Sequence, residues 1–510
     1  MIAHVMRNLS KSKILAYRQC PKRLWLEIHK PELRDTSGSA TIFTISHQVG
    51  EIARRLYDPE GNGITINIDA LGHSEALAQT AVLLGEGKAP IFEAGFTIVG
   101  ALAYADVMLP DDSDGTVRWK MIEVKSSSSV KDYHHDDIAV QAHIAKSSGV
   151  RLSSVSLAHI DSSFVYSGGD DYRGLLKEMD MTEEALSRGS EVQEWIAAAQ
   201  CVAALTDEPV IKTGPQCTTP FACGFCDYCN RDMIVEPTSE YPISSLPNLK
   251  GWRRDAVADE ETNDLREISD HLLTPMQLRV KQASVSGKAY FDADGAAADL
   301  AVHGFPAYFL DFETVRFTVP LWKGTRPFQQ IPFQFSLHIL DANGSPQHHG
   351  FLDLSGNDPS FSCVQSLVDL CGKHGPIFAY NSCFECRVMH DLAARFPEFA
   401  PALQSIIERV EDLLLIARYR YYHPIQHGSW SLKAVLPALC PELSYDALEG
   451  VQDGNMAASA YQEAIATDTT CTRKAQLESQ LHEYCKLDTF AMVRMWEIFR
   501  GTNSESKTTI

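Results

Sequence analysis

Residues 307–314 read AYFLDFET, an apolar run that carries two carboxylates, Asp311 and Glu313. The run reads as the opening strand of an α/β unit. Side chains alternate along a strand, so two acids two residues apart project from one face. Burying both among apolar neighbours is costly unless a cation compensates. Far downstream, LHEYCKLDTFAMV (481–493) places Tyr484 and Asp488 four residues apart, hence on one face of a helix. Between them, AYNSCFE (379–385) supplies Asn381 and Glu385 at an expected strand-to-helix junction. Acids brought together from such elements could surround two metal ions about 3.5–4 Å apart, stabilising both the attacking and the leaving oxygens of phosphoryl transfer.

Outward from this strand, PFQFSLHIL (332–340), the turn Asp341-Ala342-Asn343-Gly344 and a following run predict a hairpin, and PIFAYN (376–381) a further strand. The rest is mostly helical and ends in a long helix over about 473–499, with 503–510 as a frayed tail. GSWSLKAVLPAL (428–439) predicts a helix start with Ser429 or Ser431 near its cap. Lys433 behind it could contact a phosphate, although an isolated lysine is more often merely solvated. These acids and the tyrosine resemble the DEDD exonucleases with a ribonuclease H-like fold, in the subgroup whose third motif is Tyr-x-x-x-Asp. YCKLDTFAM is also similar to the matching segment of the proofreading exonuclease of B-type DNA polymerases. The resemblance implies that Asp311, Glu313 and Asp488 hold metal and that Tyr484 positions the attacking water. Glu385 stands where that family usually has aspartate. His482 lies six residues before Asp488 and does not fit the histidine form of the motif.

A second constellation lies in the N-terminal half. TISHQVGEIARRLY (44–57) spaces Ile45, Val49, Ile52 and Leu56 as an amphipathic helix with His47 in its first turn. FTIVGAL (96–102), ADVMLP (105–110) and VRWKMIEVKSS (117–127) predict a three-strand meander, with Glu93 ahead of it and Asp106 opening its second strand. A helix over about 133–146 and the strand VSLAHID (155–161) follow, so the order is that of a compact α/β unit. Glu123 and Lys125 share one face of the third strand, and Asp106 joins them if the strands pair. Two carboxylates and a lysine suit a hard divalent cation with a positive group to orient water. Asp106 with Glu-x-Lys is the spacing of the PD-(D/E)XK nucleases. With His47 before the meander and Gln141 on the helix after it, the set resembles the RecB-like exonucleases, including the CRISPR-associated iron-sulfur members. That resemblance implies metal held by His47, Asp106 and Glu123, with Gln141 part of the catalytic motif. The tyrosine usual four residues beyond the glutamine is replaced by Ala145.

Thirteen cysteines with no secretion signal are a poor match to a disulfide scaffold, and four of them, Cys217, Cys223, Cys226 and Cys229, crowd into thirteen residues. Thiolates suit an iron-sulfur cluster or zinc, and spacing alone does not choose between them. In the iron-sulfur nucleases one cysteine before the core and three after it close a 4Fe-4S cluster. By that resemblance Cys20, Cys217, Cys223 and Cys229 are the ligands, with Cys226 as the alternative. A zinc knuckle of the four local cysteines is the other reading. Cys383, Cys386 and the remaining cysteines read as inert thiols.

The chain has 510 residues, 45% hydrophobic and 22% charged, with a formal charge of -21. That length predicts more than one domain, and the composition excludes a largely disordered or collagen-like chain. With no long apolar run or secretory start, a cytoplasmic protein without a membrane partner is expected. The acidity argues against a generally basic nucleic-acid surface, yet residues 1–34 carry eight Lys or Arg against Glu27 and Glu32. A phosphate-facing patch and a solvated basic helix are equally consistent with that stretch.

Over about 450 residues the order of segments resembles a bacterial family of predicted RecB-type nucleases, carried most specifically by LSKSKILAYRQCPKRLWLEIHKPEL (9–33), YFLDFET and EYCKLDTFAMV. The resemblance implies an α/β chain: an iron-sulfur PD-(D/E)XK domain over 1–238, a helical connector over 239–302 and a ribonuclease H-like DEDD domain over 303–502. It implies a nuclease dependent on magnesium or manganese, acting on nucleic acid with DNA favoured over RNA. A non-catalytic nucleic-acid-binding or scaffold protein with zinc, and a protein with one active domain, are the alternatives.

Overall fold

A computed structural model describes residues 7–36, 39–111, 116–231, 239–260 and 262–502. The expected tail at 503–510 lies outside the described residues. The chain is mixed α/β and divides into two compact units. One is Met1–Ile234 with Phe317–Phe328, the other Val235–Arg316 with Gln329–Ile510.

In the first unit a seven-stranded mixed sheet runs β2-β3-β4-β5-β6-β7 with β1 paired to β4. Its strands are β1 (Leu9–Ser10), β2 (Ile64–Thr65), β3 (Ile91–Ile98), β4 (Ala101–Asp111), β5 (Arg118–Lys125), β6 (Leu152–Ile160) and β7 (Leu176–Asp180). The expected meander exists, but its first run is cut in two. Val99-Gly100 forms a tight turn that needs the left-handed φ of Gly100, and Ile98 pairs with Ala101 across it. Asp106 therefore lies mid-strand instead of opening one, and Glu93 lies inside β3 instead of ahead of it.

Helices α1 (Lys11–Gln19), α2 (Pro21–His29), α3 (Ser39–Tyr57), α4 (Ile68–Glu86), α5 (Asp132–Ser147), α6 (Thr182–Ser187), α7 (Gly189–Ala203) and α8 (Cys226–Asn230) complete this unit. Ala139, Ala142 and Ala145 on α5 are fully buried in its core with Ile138 and Ile144. Small residues let this helix approach the sheet closely, and a tyrosine at 145 would have no room. The segment Phe317–Phe328 belongs here as well: Tyr166 N–H donates to the Thr325 carbonyl at 3.0 Å, and Tyr172 Oη to the Pro320 carbonyl at 3.3 Å.

The second unit contains β8 (Tyr290–Phe291), β9 (Ala307–Val315), β10 (Ile331–Leu340), β11 (Pro346–Leu352), β12 (Ile377–Ala379), β13 (Val410–Asp412) and β14 (Tyr421–Tyr422). Its main sheet has the order β11-β10-β9-β12-β13. The first three strands are antiparallel neighbours; β12 is parallel to β9 and to β13. Its helices are α9 (Trp252–Ala258), α10 (Pro275–Ser286), α11 (Ala293–Ala301), α12 (Ser360–Leu370), α13 (Cys383–Arg395), α14 (Ala400–Ile407), α15 (Leu413–Arg420), α16 (Leu432–Leu439), α17 (Gly454–Ile465) and α18 (Cys471–Arg500).

Residues 239–302 hold three of these helices, and they are not a spacer. Leu246, Val257, Leu265, Ile268, Val280 and Leu300 pack into one core with Phe309, Phe378 and Trp496. The long helix α18 starts at a Thr470 cap whose side chain accepts from Arg473 N–H and stops at Gly501, whose φ is +73°. Leu477, Leu481, Tyr484, Cys485, Asp488 and Met492 repeat at three or four residues and are all buried. No helix among the described residues is long and apolar enough to cross a membrane.

Candidate metal centres

On β9, Asp311 and Glu313 share the face that α18 covers, and Asp488 comes from that helix. Ligand oxygens of these three acids lie within 4.8 Å of one another. Glu313 and Asp488 are buried at 7% and 6% exposure, Asp311 at the intermediate edge. Burial, then the neighbouring acids, holds Asp311 well above the carboxylate range. Burial and Asp488 push Glu313 up to about 8. Asp488 rises less, to about 6, because burial is opposed by hydrogen bonds from Tyr445 and Tyr484 and by Lys433. Like charges held together in a buried place make this a site that attracts either protons or a cation.

Glu385 sits in the first turn of α13. The turn before it is built from Asn381, at φ +74°, whose N–H donates to Asp412 at 3.0 Å, while Ser382 N–H donates to the same carboxylate at 3.2 Å. Glu385 is 2% exposed, burial raises it to about 8, and its Oε2 has no hydrogen-bond partner. It acts electrostatically on Asp311 and Glu313 but is not one of the three oxygens that converge. Tyr484 is buried beside the acids, and burial and Asp488 raise its phenol far out of the titrating range.

Tyr445 did not stand out in the sequence, and Lys433 read only as an isolated lysine that could contact a phosphate. Tyr445 donates its hydroxyl to Asp488 Oδ1. Lys433 has its Nζ 5.2 Å from the Tyr445 ring and 5.7 Å from the Tyr484 ring, and it lowers Glu313 and Asp488. Ser431 occupies the cap of α16, but its hydroxyl accepts no helix N–H. The signal available for Lys433 was its place in the first turn of that helix; nothing in the sequence said which way the helix faced.

In the first unit the register of β3, β4 and β5 brings Glu93, Asp106 and Glu123 into one row. Val124 N–H donates to Asp106 Oδ2 at 2.6 Å, and burial followed by Glu123 pushes Asp106 up to about 8. Glu123, 3% exposed, accepts at Oε1 from Lys125 and from Lys11, both at 2.7 Å, and its buried Oε2 has no partner. Asp137 on α5 pairs with both lysines, at 2.9 Å for Lys11. Although burial alone would raise it, the two ammonium groups hold Asp137 below the carboxylate range. Neither Lys11 nor Asp137 stood out in the sequence.

His47 is placed differently from the expectation, and Gln141 stands on the expected helix. The helix carrying His47 starts at Ser39, so His47 is not in its first turn; its side chain is 63% exposed with Nε2 3.9 Å from Glu51. It does not join Asp106 and Glu123 within ligand distance. Gln141 is fully buried and donates to the Tyr104 carbonyl, tying α5 to the back of β4; its Oε1 has no partner.

Cys20, Cys217, Cys223, Cys226 and Cys229 all line one cavity. No three of their sulfurs lie within 4.8 Å of one another, whereas zinc–sulfur bonds of about 2.3 Å would require that. Burial raises Cys223 and Cys226 and pushes Cys229 up to about 11. Cys226 Sγ is 3.6 Å from the Cys217 carbonyl and donates to it. Around the cavity the N-terminal helices hold the 205–229 segment. Gln19 donates to the Gln216 and Phe221 carbonyls, Lys22 and Lys30 pair with Glu208, and Trp25 Nε1 donates to the Leu205 carbonyl. Arg18 pairs with Asp136 and Arg23 with Glu27. Five of the eight basic residues of the opening, these four and Lys11, are thus ion-paired within their own unit.

Residues 308–431 are similar to a family described as a domain of unknown function, DUF2779. That stretch includes Asp311, Glu313 and Glu385 and stops before Lys433, Tyr484 and Asp488. No curated protein matches the chain.

Proposed function

We propose that the protein is a metal-dependent nuclease that hydrolyses phosphodiester bonds of nucleic acid, most favourably single-stranded DNA or DNA ends, with one centre in each unit. The observation that carries this reading is the convergence of Asp311, Glu313 and Asp488 in a buried place with almost no compensating positive charge. The sheet order, with its third strand at one edge and its fourth and fifth on the other side of the first, supports a ribonuclease H-like fold. In the first unit, Asp106 beside Glu123-x-Lys125 on paired strands supports a PD-(D/E)XK fold.

The donor sets fit hard divalent ions: all-oxygen ligands at the second centre, and at the first the buried, unpartnered Glu123 Oε2 with Asp106. Magnesium or manganese, when bound, supplies charge stabilisation of the phosphoryl group and acidifies water. The chain's own groups do the rest. Asp311, Glu313 and Asp488 hold the ion, and Tyr445 fixes the orientation of Asp488. Tyr484 keeps its proton and orients water as a hydrogen-bond donor. Lys125 brings positive charge to the first centre. Five cysteines around one cavity, too far apart for a zinc tetrahedron, favour a 4Fe-4S cluster held by Cys20, Cys217, Cys223 and Cys229.

Digestion of end-labelled single strands by wild type, Glu123→Ala, Asp311→Ala and the double variant, with magnesium and manganese compared, tests the reading. Each single variant should lose one metal-dependent activity. A double variant that degrades strands at the wild-type rate overturns it.

A further inference from the structure

The first centre contains more positive charge than its motif requires, and the extra lysine comes from the other end of the unit. Lys11 is the first residue of α1, a nine-residue helix held by the Ser10 cap and continued after Cys20 by α2. Its side chain is 17% exposed, and its ammonium group is 2.7 Å from Glu123 Oε1 and 2.9 Å from Asp137 Oδ1. Lys125 makes the same two contacts, to Glu123 Oε1 and to the other Asp137 oxygen. Two acids and two lysines therefore close a square. Glu123 Oε1 accepts from both lysines, and Oε2, buried and unpartnered, is the oxygen left without a donor.

We infer that Lys11 is a positioning residue of the first centre: with Asp137 as its anchor, it fixes the Glu123 carboxylate so that one oxygen is reserved for a divalent cation. This rests on the reading of Asp106, Glu123 and Lys125 as a nuclease centre. The square has a second consequence. An ammonium group that holds a ligand in place also repels the cation that the ligand must bind, so the centre gains geometry and loses affinity. Removing the charge should then move the two properties in opposite directions. A residue that merely holds the fold together would weaken both.

The test uses the full chain carrying Asp311→Asn and Asp488→Asn to silence the second centre. Bound Mn2+ is counted by electron paramagnetic resonance, and cleavage of an end-labelled single strand is followed alongside. Lys11→Met, which keeps the length of the side chain, should bind Mn2+ roughly tenfold more tightly. Its kcat should fall about a hundredfold, with KM for the strand within about threefold of the parent. Lys11→Arg keeps the charge but not the geometry; Mn2+ affinity should stay within about twofold of the parent while kcat falls about tenfold. It carries the test if the methionine variant does not fold. Weaker or unchanged Mn2+ binding in Lys11→Met, or a parental kcat in either variant, overturns the inference. Glu123→Gln in the same background separates the two levels of the argument. If it binds Mn2+ and cleaves as the parent does, the first centre itself has been misread. If it loses both while Lys11→Met resembles the parent, only the role of Lys11 falls.

Discussion

The two acid clusters solve the same electrostatic problem in opposite ways. Around Glu123 and Asp137 the fold brings in Lys11 and Lys125, so the carboxylates are neutralised by side chains of the unit itself. Around Asp311, Glu313 and Asp488 it supplies only Lys433 and the hydroxyls of two tyrosines, and all three carboxyls are raised. The first cluster is a closed ion-pair network in the absence of metal; the second carries repulsion that protons or a cation relieve. One local rule, charged residues two apart on a strand, thus yields a compensated site and an uncompensated one, depending on the sign of the second charge and on what packs over it.

The sharpest way to break that contrast is a pair of isosteric substitutions measured without metal. Glu123→Gln leaves two partly buried ammonium groups facing one carboxylate and should destabilise the chain by about 2–4 kcal/mol. Asp311→Asn removes one of three repelling charges and should leave stability unchanged or raise it by about 1 kcal/mol. Urea unfolding of both variants checks the signs. Destabilisation of equal size would mean that the two centres are not electrostatically different.

pH sharpens the same comparison. At the second centre the folded pKa values lie above the ordinary carboxylate values near 4. Its contribution is fully present below about pH 4 and is lost as pH rises through the folded values of about 6 for Asp488 and about 8 for Glu313 and Glu385. Metal-free stability should therefore fall between pH 5 and 8, and Mn2+ should flatten that fall by replacing the protons. Asp137 has the opposite sign: its contribution is present above pH 4 and lost on acidification. Asp106, raised to about 8, behaves like the second centre within the first. Thermal unfolding across about pH 2–8, with and without Mn2+, and repeated on Asp311→Asn, checks both signs.

Smaller effects separate the cysteines. Cys20→Ser should lose iron and the brown colour of anaerobically purified protein. Cys226→Ser, whose thiol donates to a carbonyl, should keep most of the iron. Loss of iron in both variants would make Cys226 a ligand. The smallest effect is expected at His47, exposed and outside the row of acids. His47→Ala should change strand cleavage by less than about threefold, and a loss comparable to that of Glu123→Ala would mean that this helix moves into the site when metal binds.

How much of this was legible varied with the range of the interaction. Asp311 with Glu313, and Tyr484 with Asp488, are written in local periodicity, and strand and helix geometry carry each pair to one face without further information. Glu123 with Lys125 is legible for the same reason. Asp106 was found, yet its place in the strand was not, because a two-residue turn at Val99-Gly100 depends on one glycine's φ within an unbroken apolar run. The 239–302 segment read as a connector because its apolar residues are spread among prolines and acids. Only the core they enter, with Phe309 and Trp496, reveals why they are there.

By itself, the sequence determined the α/β character, the strands and long helix that carry the acids, and the crowding of four cysteines with a fifth far upstream. These follow from periodicity and composition, which act over a few residues. Tertiary structure alone decided that Lys11 and Asp137 close over Glu123, that Lys433 and Tyr445 face Asp488, that the His47 side chain is exposed, and that most of the basic opening is ion-paired within its own unit. Most of those are contacts between residues far apart in the chain, 112 positions for Lys11 and Glu123 and 43 for Tyr445 and Asp488. Their energies depend on distance and burial, quantities that exist only once the chain is packed.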